Sequence, residues 1–123
     1  ITRAALESIA YQTYDLVSAM EKDSGIDLQE LYVDGGAAAN DFLMQFQSDV
    51  LNLTVHRPLL HESTALGAYY LAGLAVGWFR DREQIANLET QRESFSAQMS
   101  ASVVEEKLIS WHEALKRSQA WAE

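Results

Sequence analysis

Cysteine is absent from the 123 residues. That excludes a disulfide framework and any thiolate-held metal, and it fits a reducing compartment. Positive charge is scarce. Nine Lys and Arg stand against 18 Asp and Glu, for a formal net charge of −9. Such a chain repels phosphate backbones and anionic membrane surfaces over long range, so neither nucleic acid nor membrane is expected as a partner. An anionic ligand would have to be held by local backbone donors or by charges from elsewhere. A long hydrophobic run is missing too. The most apolar stretch, Ala65 to Phe79, is shorter than the roughly 20 residues a membrane-spanning helix needs. The opening residues Ile1-Thr2-Arg3-Ala4-Ala5-Leu6-Glu7 do not read as a basic-then-apolar leader but as the inside of a helical pattern. The expectation is a piece of a longer polypeptide.

The residues present are ordinary for one globular domain: 48% hydrophobic and 22% charged. Residues 3 to 22 predict a helix, with Ala5, Ile9, Leu16 and Met20 near one face. Ser24-Gly25 stops it, with Gly25 suited to a left-handed cap. Leu31-Tyr32-Val33 reads as a short buried strand. Ala37 to Leu51 turns helical, with Phe42, Phe46 and Val50 at spacing four. Leu53-Thr54-Val55 predicts a second strand, ending at Arg57-Pro58 because proline has no N–H for a ladder. The two strands and their helix form a parallel, right-handed crossover unit. Only these two strands are visible, and so small a sheet is marginal alone.

Further along, Ser63 or Thr64 is suited to cap an Ala/Gly-rich helix carrying Gly67, Gly73 and Gly77. Each glycine inside a helix costs about 1 kcal/mol relative to alanine. Three of them imply close approach of a neighbouring backbone. Residues 81 to 88 predict a short acidic helix. Ser94 to Ser102 reads as a loop, and Ser100 or Ser102 is placed to cap a final helix. Val104, Leu108, Trp111 and Leu115 mark that helix as amphipathic, running to about Ala120.

The strongest chemical signal is Asp34-Gly35-Gly36-Ala37-Ala38-Ala39-Asn40. Glycine admits positive φ and bares the backbone. The alanines keep the first helical turn thin, and its free N–H groups suit a phosphate or a flat base. Asn40 projects from that turn with an amide that both donates and accepts. The competing reading is a plain tight turn whose small residues serve helix–sheet packing. Asp34 fits a metal or ribose contact, but more simply caps its own turn. His56, His61 and His112 share no helix face and suggest no third ligand, so no metal site is expected. Glu62, Asp81, Glu83, Glu105 and Glu106 read as a solvated acidic surface. No general base and no catalytic residue is nominated in this chain.

Several segments carry a resemblance. Ile9-Ala10-Tyr11-Gln12-Thr13, Val33-Asp34-Gly35-Gly36-Ala37, the run Phe42 to Asp49, Thr64-Ala65-Leu66-Gly67-Ala68 and Tyr70 to Gly77 resemble the C-terminal domain of the FGGY carbohydrate kinases. The Phe42-to-Asp49 run is similar to the glycerol kinase branch rather than to the pentulose kinases. The resemblance is dense over residues 1 to 88 and looser through Trp111, Lys116-Arg117 and Trp121. It implies an α/β fold: a fragment of an actin-like, ribonuclease-H-like ATPase domain, mostly helical with a short parallel strand pair. Residues 1–123 would be a single C-terminal, nucleotide-side fragment, without the substrate domain and phosphate loop. The resemblance implies nucleotide contacts at Gly36 and Asn40, with Gly35 beside them. It implies ATP or ADP and Mg²⁺ in the intact enzyme, no Mg²⁺ ligand here, glycerol as acceptor, a homo-oligomer and a cytoplasmic setting. This polypeptide alone is expected to be inactive. Ala97-Gln98-Met99-Ser100 and Val103 depart from the regulator-docking and zinc-sharing residues of enteric members, so that regulation is not expected. The readings left open are another FGGY sugar kinase and a non-catalytic helical module that associates through its Ala/Gly helix.

Overall fold

In a computed structural model describing residues 1–59, 63–88 and 92–119, the chain opens with a long helix, α1 (Thr2–Ser24). Gly25 ends it in the left-handed region (φ 69°), donating its N–H to the Glu21 carbonyl. Next in the chain are strand β1 (Glu30–Tyr32), a 3₁₀ turn (Gly36–Ala39), helix α2 (Asp41–Leu51) and strand β2 (Thr54–Pro58). Then come α3 (Ser63–Ala75), the short α4 (Arg82–Ala86), strand β3 (Arg92–Phe95) and α5 (Ala101–Ser118).

β1 pairs parallel to β2, with Leu31 opposite Val55. The expected parallel pair is therefore present, and the fold is α/β and mostly helical. β2 ends at Arg57-Pro58 as expected, and the proline sits at its last position, where a missing donor costs least. One expectation about the sheet is corrected. A third strand also exists among the described residues: β3 pairs antiparallel to β2, with His56 opposite Ser94 and Arg57 opposite Glu93. Residues 94 and 95 are thus strand, not the loop that their polar pattern suggests. β3 is a short edge strand with charged residues, and edges of that kind lack the apolar alternation of an inner strand.

The core lies between α1, α2 and one face of the sheet. Leu43, Met44, Phe46 and Val50 of α2 meet Ala10 and Tyr11 of α1 and Val55 of β2, all buried. Burying a side chain such as Leu43 contributes about 1.5–3 kcal/mol relative to leaving it exposed. Tyr11 sets its edge on the Phe46 ring (centroids 5.4 Å, 83°) and stacks on Trp111 of α5 (5.3 Å). The face foreseen for α1 is corrected. Ala10, Tyr11 and Val17 point inward, while Ala5, Ile9, Leu16 and Met20 are exposed. Helical spacing groups residues into stripes, but the position of α2 decides which stripe is covered.

α3 behaves differently. Its chain reverses at Gly77 (φ 75°), and Trp78 returns its N–H to the Gly73 carbonyl (2.8 Å). A Cβ at Gly73 would lie 2.5 Å from the Phe79 ring, so what approaches that glycine is a side chain and not the expected neighbouring backbone. Close approach does not explain Gly67, which faces open space, or Gly77, which serves the turn. Ser63 and Thr64 are the first residues of α3, so the cap position falls outside the described residues. α4 forms as foreseen, with Asp81 accepting from the Gln84 N–H. Hydrogen bonds from Gln84 and from Arg80 hold the Asp81 carboxyl below its ordinary pKa. α5 buries the stripe Val104, Leu108, Trp111 and Leu115 in part. Ser100 holds its cap position without a side-chain cap bond. No described helix is long and apolar enough to cross a membrane.

Candidate functional site

Between β1 and α2 the chain must reverse direction within a few residues. The Val33 N–H extends the ladder to the His56 carbonyl (2.9 Å), and then the strand breaks. Asp34 accepts from the Gly35 N–H through Oδ1 (2.6 Å), satisfying its own turn. Gly35 has φ 89° and ψ 175°, a region open almost only to glycine. That single residue makes the reversal possible.

Gly36 is a different case. Its φ is not positive, and a Cβ there would meet nothing within 4 Å. The fold of this chain therefore does not require glycine at 36.

Residues 36–39 wind as a 3₁₀ turn, closed by Ala38 N–H to Gly35 O (3.0 Å) and Asn40 N–H to Ala37 O (3.2 Å). The N–H groups of Gly36 and Ala37 precede those bonds, as the first donors of any helical turn do. Here a further expectation is corrected. The helix does not run on from Ala37. It breaks at Asn40, which is extended (φ −90°, ψ 107°) and caps α2: its Oδ1 accepts from the Leu43 N–H (3.0 Å). The acceptor half of the amide is thus committed. The Nδ2 half is left to donate at the surface. Gly35, Gly36 and Asn40 are all exposed, and together they form the rim of the turn.

Beneath that rim lies a residue that patterning missed. Arg57 of β2 is buried. Its Nη1 donates to the Ala38 carbonyl (2.8 Å) and its Nη2 to Asp41 Oδ1 (2.6 Å). Nη2 and Nε both donate to Glu93 Oε2 (2.6 and 3.0 Å). The guanidinium also lies over the Phe95 ring (5.0 Å). The hydrogen bond to Glu93, then that to Asp41, raises its pKa above the ordinary arginine value, while burial works the other way. The available signal was the alternation Val55, Arg57 on an inner strand, which sends both side chains to the helix-covered face.

The other candidates stand apart from the rim. His56 bonds Ser94 Oγ through Nδ1 (2.8 Å) and stacks on Tyr32 (5.0 Å), on the opposite sheet face. The Tyr32 hydroxyl donates to Glu30, which raises its pKa. His112 meets Asp15 (2.7 Å), as a satisfied surface histidine. His61 and Glu62 lie outside the described residues. Glu83, Glu105 and Glu106 are exposed, and Asp81 is the α4 cap. A cavity of about 480 Å³ opens between α1, the end of α2 and α5, lined by Tyr14, Val50, Met99, Leu108 and His112 among others. None of its lining residues belongs to the glycine turn. Among the described residues no three His, Cys, Asp or Glu side chains form a group able to hold a metal ion.

This strand–glycine turn–capped helix, set in a small mixed sheet with helices on its core face, has clear relatives. Residues 1–76 match the family model described as the C-terminal domain of the FGGY family of carbohydrate kinases. The chain belongs to that family, and its fold is that of the family's actin-like kinases. Within it, the chain is 57% identical over 119 residues to glycerol kinase 1 of Clostridium tetani, covering 97% of this chain and 24% of that protein. It is 55% identical over 121 residues to the glycerol kinase of Herminiimonas arsenicoxydans, covering 98% and 24%. The crystal structure of Plasmodium falciparum glycerol kinase with ADP superposes with a TM-score of 0.82 at 34% identity, covering 97% of this chain and 24% of that one. A xylulose kinase from Lactobacillus acidophilus, 22% identical with a TM-score of 0.74 over 98% of this chain and 24% of that one, shares the fold. The chain spans about a quarter of the length of the curated relatives it matches.

Proposed function

We propose that this chain is the nucleotide-side part of an ATP:glycerol 3-phosphotransferase, which converts glycerol and ATP to sn-glycerol 3-phosphate and ADP. Residues 1–123 then form one C-terminal piece, and the substrate domain, phosphate loop, catalytic Asp and glycerol contacts belong to other parts of the polypeptide. The observation that carries the reading is Gly36. A Cβ there would meet nothing within 4 Å, and the residue is exposed at the start of the 3₁₀ turn that leads to Asn40. The relatives that bear the name glycerol kinase, one of them crystallised with ADP, support a nucleotide as the ligand.

The residues present fit a nucleotide. Gly36 leaves room for a flat or phosphate-bearing group against the backbone, Gly35 holds the turn open, and Asn40 donates from Nδ2. When bound, ATP supplies the phosphoryl group that the acceptor hydroxyl receives. This chain's own share is positioning: it fixes one side of the nucleotide so that transfer is within one complex rather than between diffusing molecules. Mg²⁺ belongs to the reading as well, with ligands assigned outside this chain. A cytoplasmic homo-oligomer is part of the same proposal.

The test uses the full-length enzyme that contains this segment. We expect ATP-dependent phosphorylation of glycerol, with xylulose and gluconate as poor acceptors. Gly36→Val should raise the KM for ATP about tenfold and leave that for glycerol nearly unchanged, as loss of a contact to one substrate alone does. Preference for a pentulose would reassign the enzyme to another branch of the family. An unchanged ATP KM in Gly36→Val would remove the nucleotide from this turn.

A further inference from the structure

Among the described residues, Arg57 is the side chain that grips the glycine turn from below, and the nucleotide contacts do not include it. Its partners bracket Asn40. Ala38, two residues before, gives its carbonyl to Nη1 (2.8 Å); Asp41, one residue after, gives Oδ1 to Nη2 (2.6 Å). The need for this donor arises from the local backbone. Within the 3₁₀ turn the carbonyls of Gly35 and Ala37 are taken by Ala38 and Asn40. The chain then leaves helical geometry at Asn40, and Ala38 O finds its donor in Arg57 rather than in α2. The arginine is itself held from the far side by Glu93 of β3 through two donors, and by the Phe95 ring. A planar fork with fixed donor directions can serve a carbonyl and two carboxylates at once; an ammonium cannot reproduce those directions.

We infer that Arg57 is a positioning residue for nucleotide binding: its fork, braced by Glu93, locks the Gly36–Asn40 rim at a fixed height and angle on the sheet. This rests on the nucleotide reading of the turn. Arg57 touches no substrate. Its effect passes through the Ala38 carbonyl to the turn on one side of Asn40 and through Asp41 to the helix on the other. Losing that lock lets the rim shift against the sheet, and a misplacement of about 1 Å at a binding group is enough to cost a large factor in rate or affinity. The charge it carries also offsets two carboxylates close to where an anionic ligand would lie. Lysine would keep that charge and lose the fork, so Arg57→Lys isolates the geometric part.

The experiment uses the full-length enzyme with four variants: Arg57→Gln, Arg57→Lys, Gly36→Val and Val17→Ala. The last loosens the core on α1, away from the turn. KM for ATP, KM for glycerol, kcat and the melting temperature are measured for each. We expect Arg57→Gln to raise the ATP KM about tenfold and Arg57→Lys about threefold, with the glycerol KM within about twofold of the parent in both. Val17→Ala should lower the melting temperature and leave the ATP KM where it was. If Arg57→Gln does not fold, Arg57→Lys decides alone. An ATP KM in Arg57→Lys equal to the parent's would overturn the inference. So would an increase shared equally by both substrates and matched by Val17→Ala, because that pattern is general loosening. If Gly36→Val leaves the ATP KM unchanged, the nucleotide reading itself fails, whatever Arg57 does.

Discussion

On the proposed reading Asn40 carries two jobs on one amide, and they can be separated by chemistry. Its Oδ1 caps α2 at Leu43, and in the proposed site its Nδ2 donates to the nucleotide. Asn40→Asp keeps an acceptor at the cap and places a carboxylate near the positive end of the helix, which is favourable. It also removes both N–H donors and sets a negative charge toward an anionic nucleotide. Asn40→Asp is therefore expected to retain the parent's melting temperature while the ATP KM rises at least about tenfold. Asn40→Ala loses both jobs: about 1 kcal/mol of stability with the cap, and nucleotide affinity with the donor. Thermal unfolding and ATP kinetics on the full-length enzyme check the two together. Gly35 and Gly36 divide in a parallel way. Gly35→Ala forces a Cβ into a region of positive φ and should cost about 1–3 kcal/mol, read as a lower denaturation midpoint. Gly36→Ala should leave that midpoint unchanged, since its Cβ meets open space. Both glycines and Asn40 stand out in the sequence as one candidate group. Their division of labour does not. The alanines after Gly36 suggest an unbroken helix from Ala37, and that run hides the cap at Asn40.

At the scale of elements, α5 is held by polar contacts as much as by apolar ones. Asp49 near the end of α2 is buried and accepts three N–H groups through one oxygen: Gln98 N (2.6 Å), Met99 N (3.2 Å) and Gln45 Nε2 (3.0 Å). The loop entering α5 is thereby fixed to α2. Asp15 of α1 completes the attachment by accepting from Trp111 Nε1 (2.9 Å) and meeting His112 (2.7 Å). Asp49→Ala would leave those donors unpaired at a cost of about 1–3 kcal/mol, and Asp49→Asn should recover part of it because an amide oxygen still accepts. Hydrogen exchange over residues 98 to 108 should speed up in Asp49→Ala and not in a surface control such as Glu105→Ala. None of this was readable from periodicity. The pattern of Val104, Leu108, Trp111 and Leu115 gave the helix and its inward stripe, because side chains three and four apart share a face. It said nothing of the carboxylates that receive it. Strand β3 stayed hidden for a related reason. Arg92-Glu93-Ser94-Phe95 owes its place to the β2 ladder and to the Glu93–Arg57 bond, both contacts distant in sequence. α1 was the reverse case, where a clean stripe was present and pointed outward.

That outward stripe matters for the molecule as a whole. Ile9, Leu16 and Met20 on α1, and Leu71, Val76 and Trp78 along and after α3, are exposed large apolar side chains. The sheet face opposite the helices carries Tyr32, His56 and Arg92, of which Tyr32 and Arg92 are exposed. Scattered apolar residues are normal on any surface, but several on the same helices are surface made to be covered. The glycine turn is open in the same sense: Gly35, Gly36 and Asn40 are all exposed. Both features fit the proposal that this chain supplies about a quarter of a kinase, with the acceptor site and phosphate loop carried by the rest. The expected consequence is specific. A homogeneous 123-residue chain should show no ATP-dependent phosphorylation of glycerol in a coupled assay. It should bind a hydrophobic dye and sediment as associated species. The full-length enzyme should phosphorylate glycerol and leave the dye unbound. Leu16→Glu with Trp78→Glu should reduce association of the isolated chain while destabilising the full-length enzyme, where those side chains would be buried. Turnover by the 123-residue chain, or a monodisperse chain that ignores the dye, would mean that the exposed faces need no cover and that the rim is a complete site.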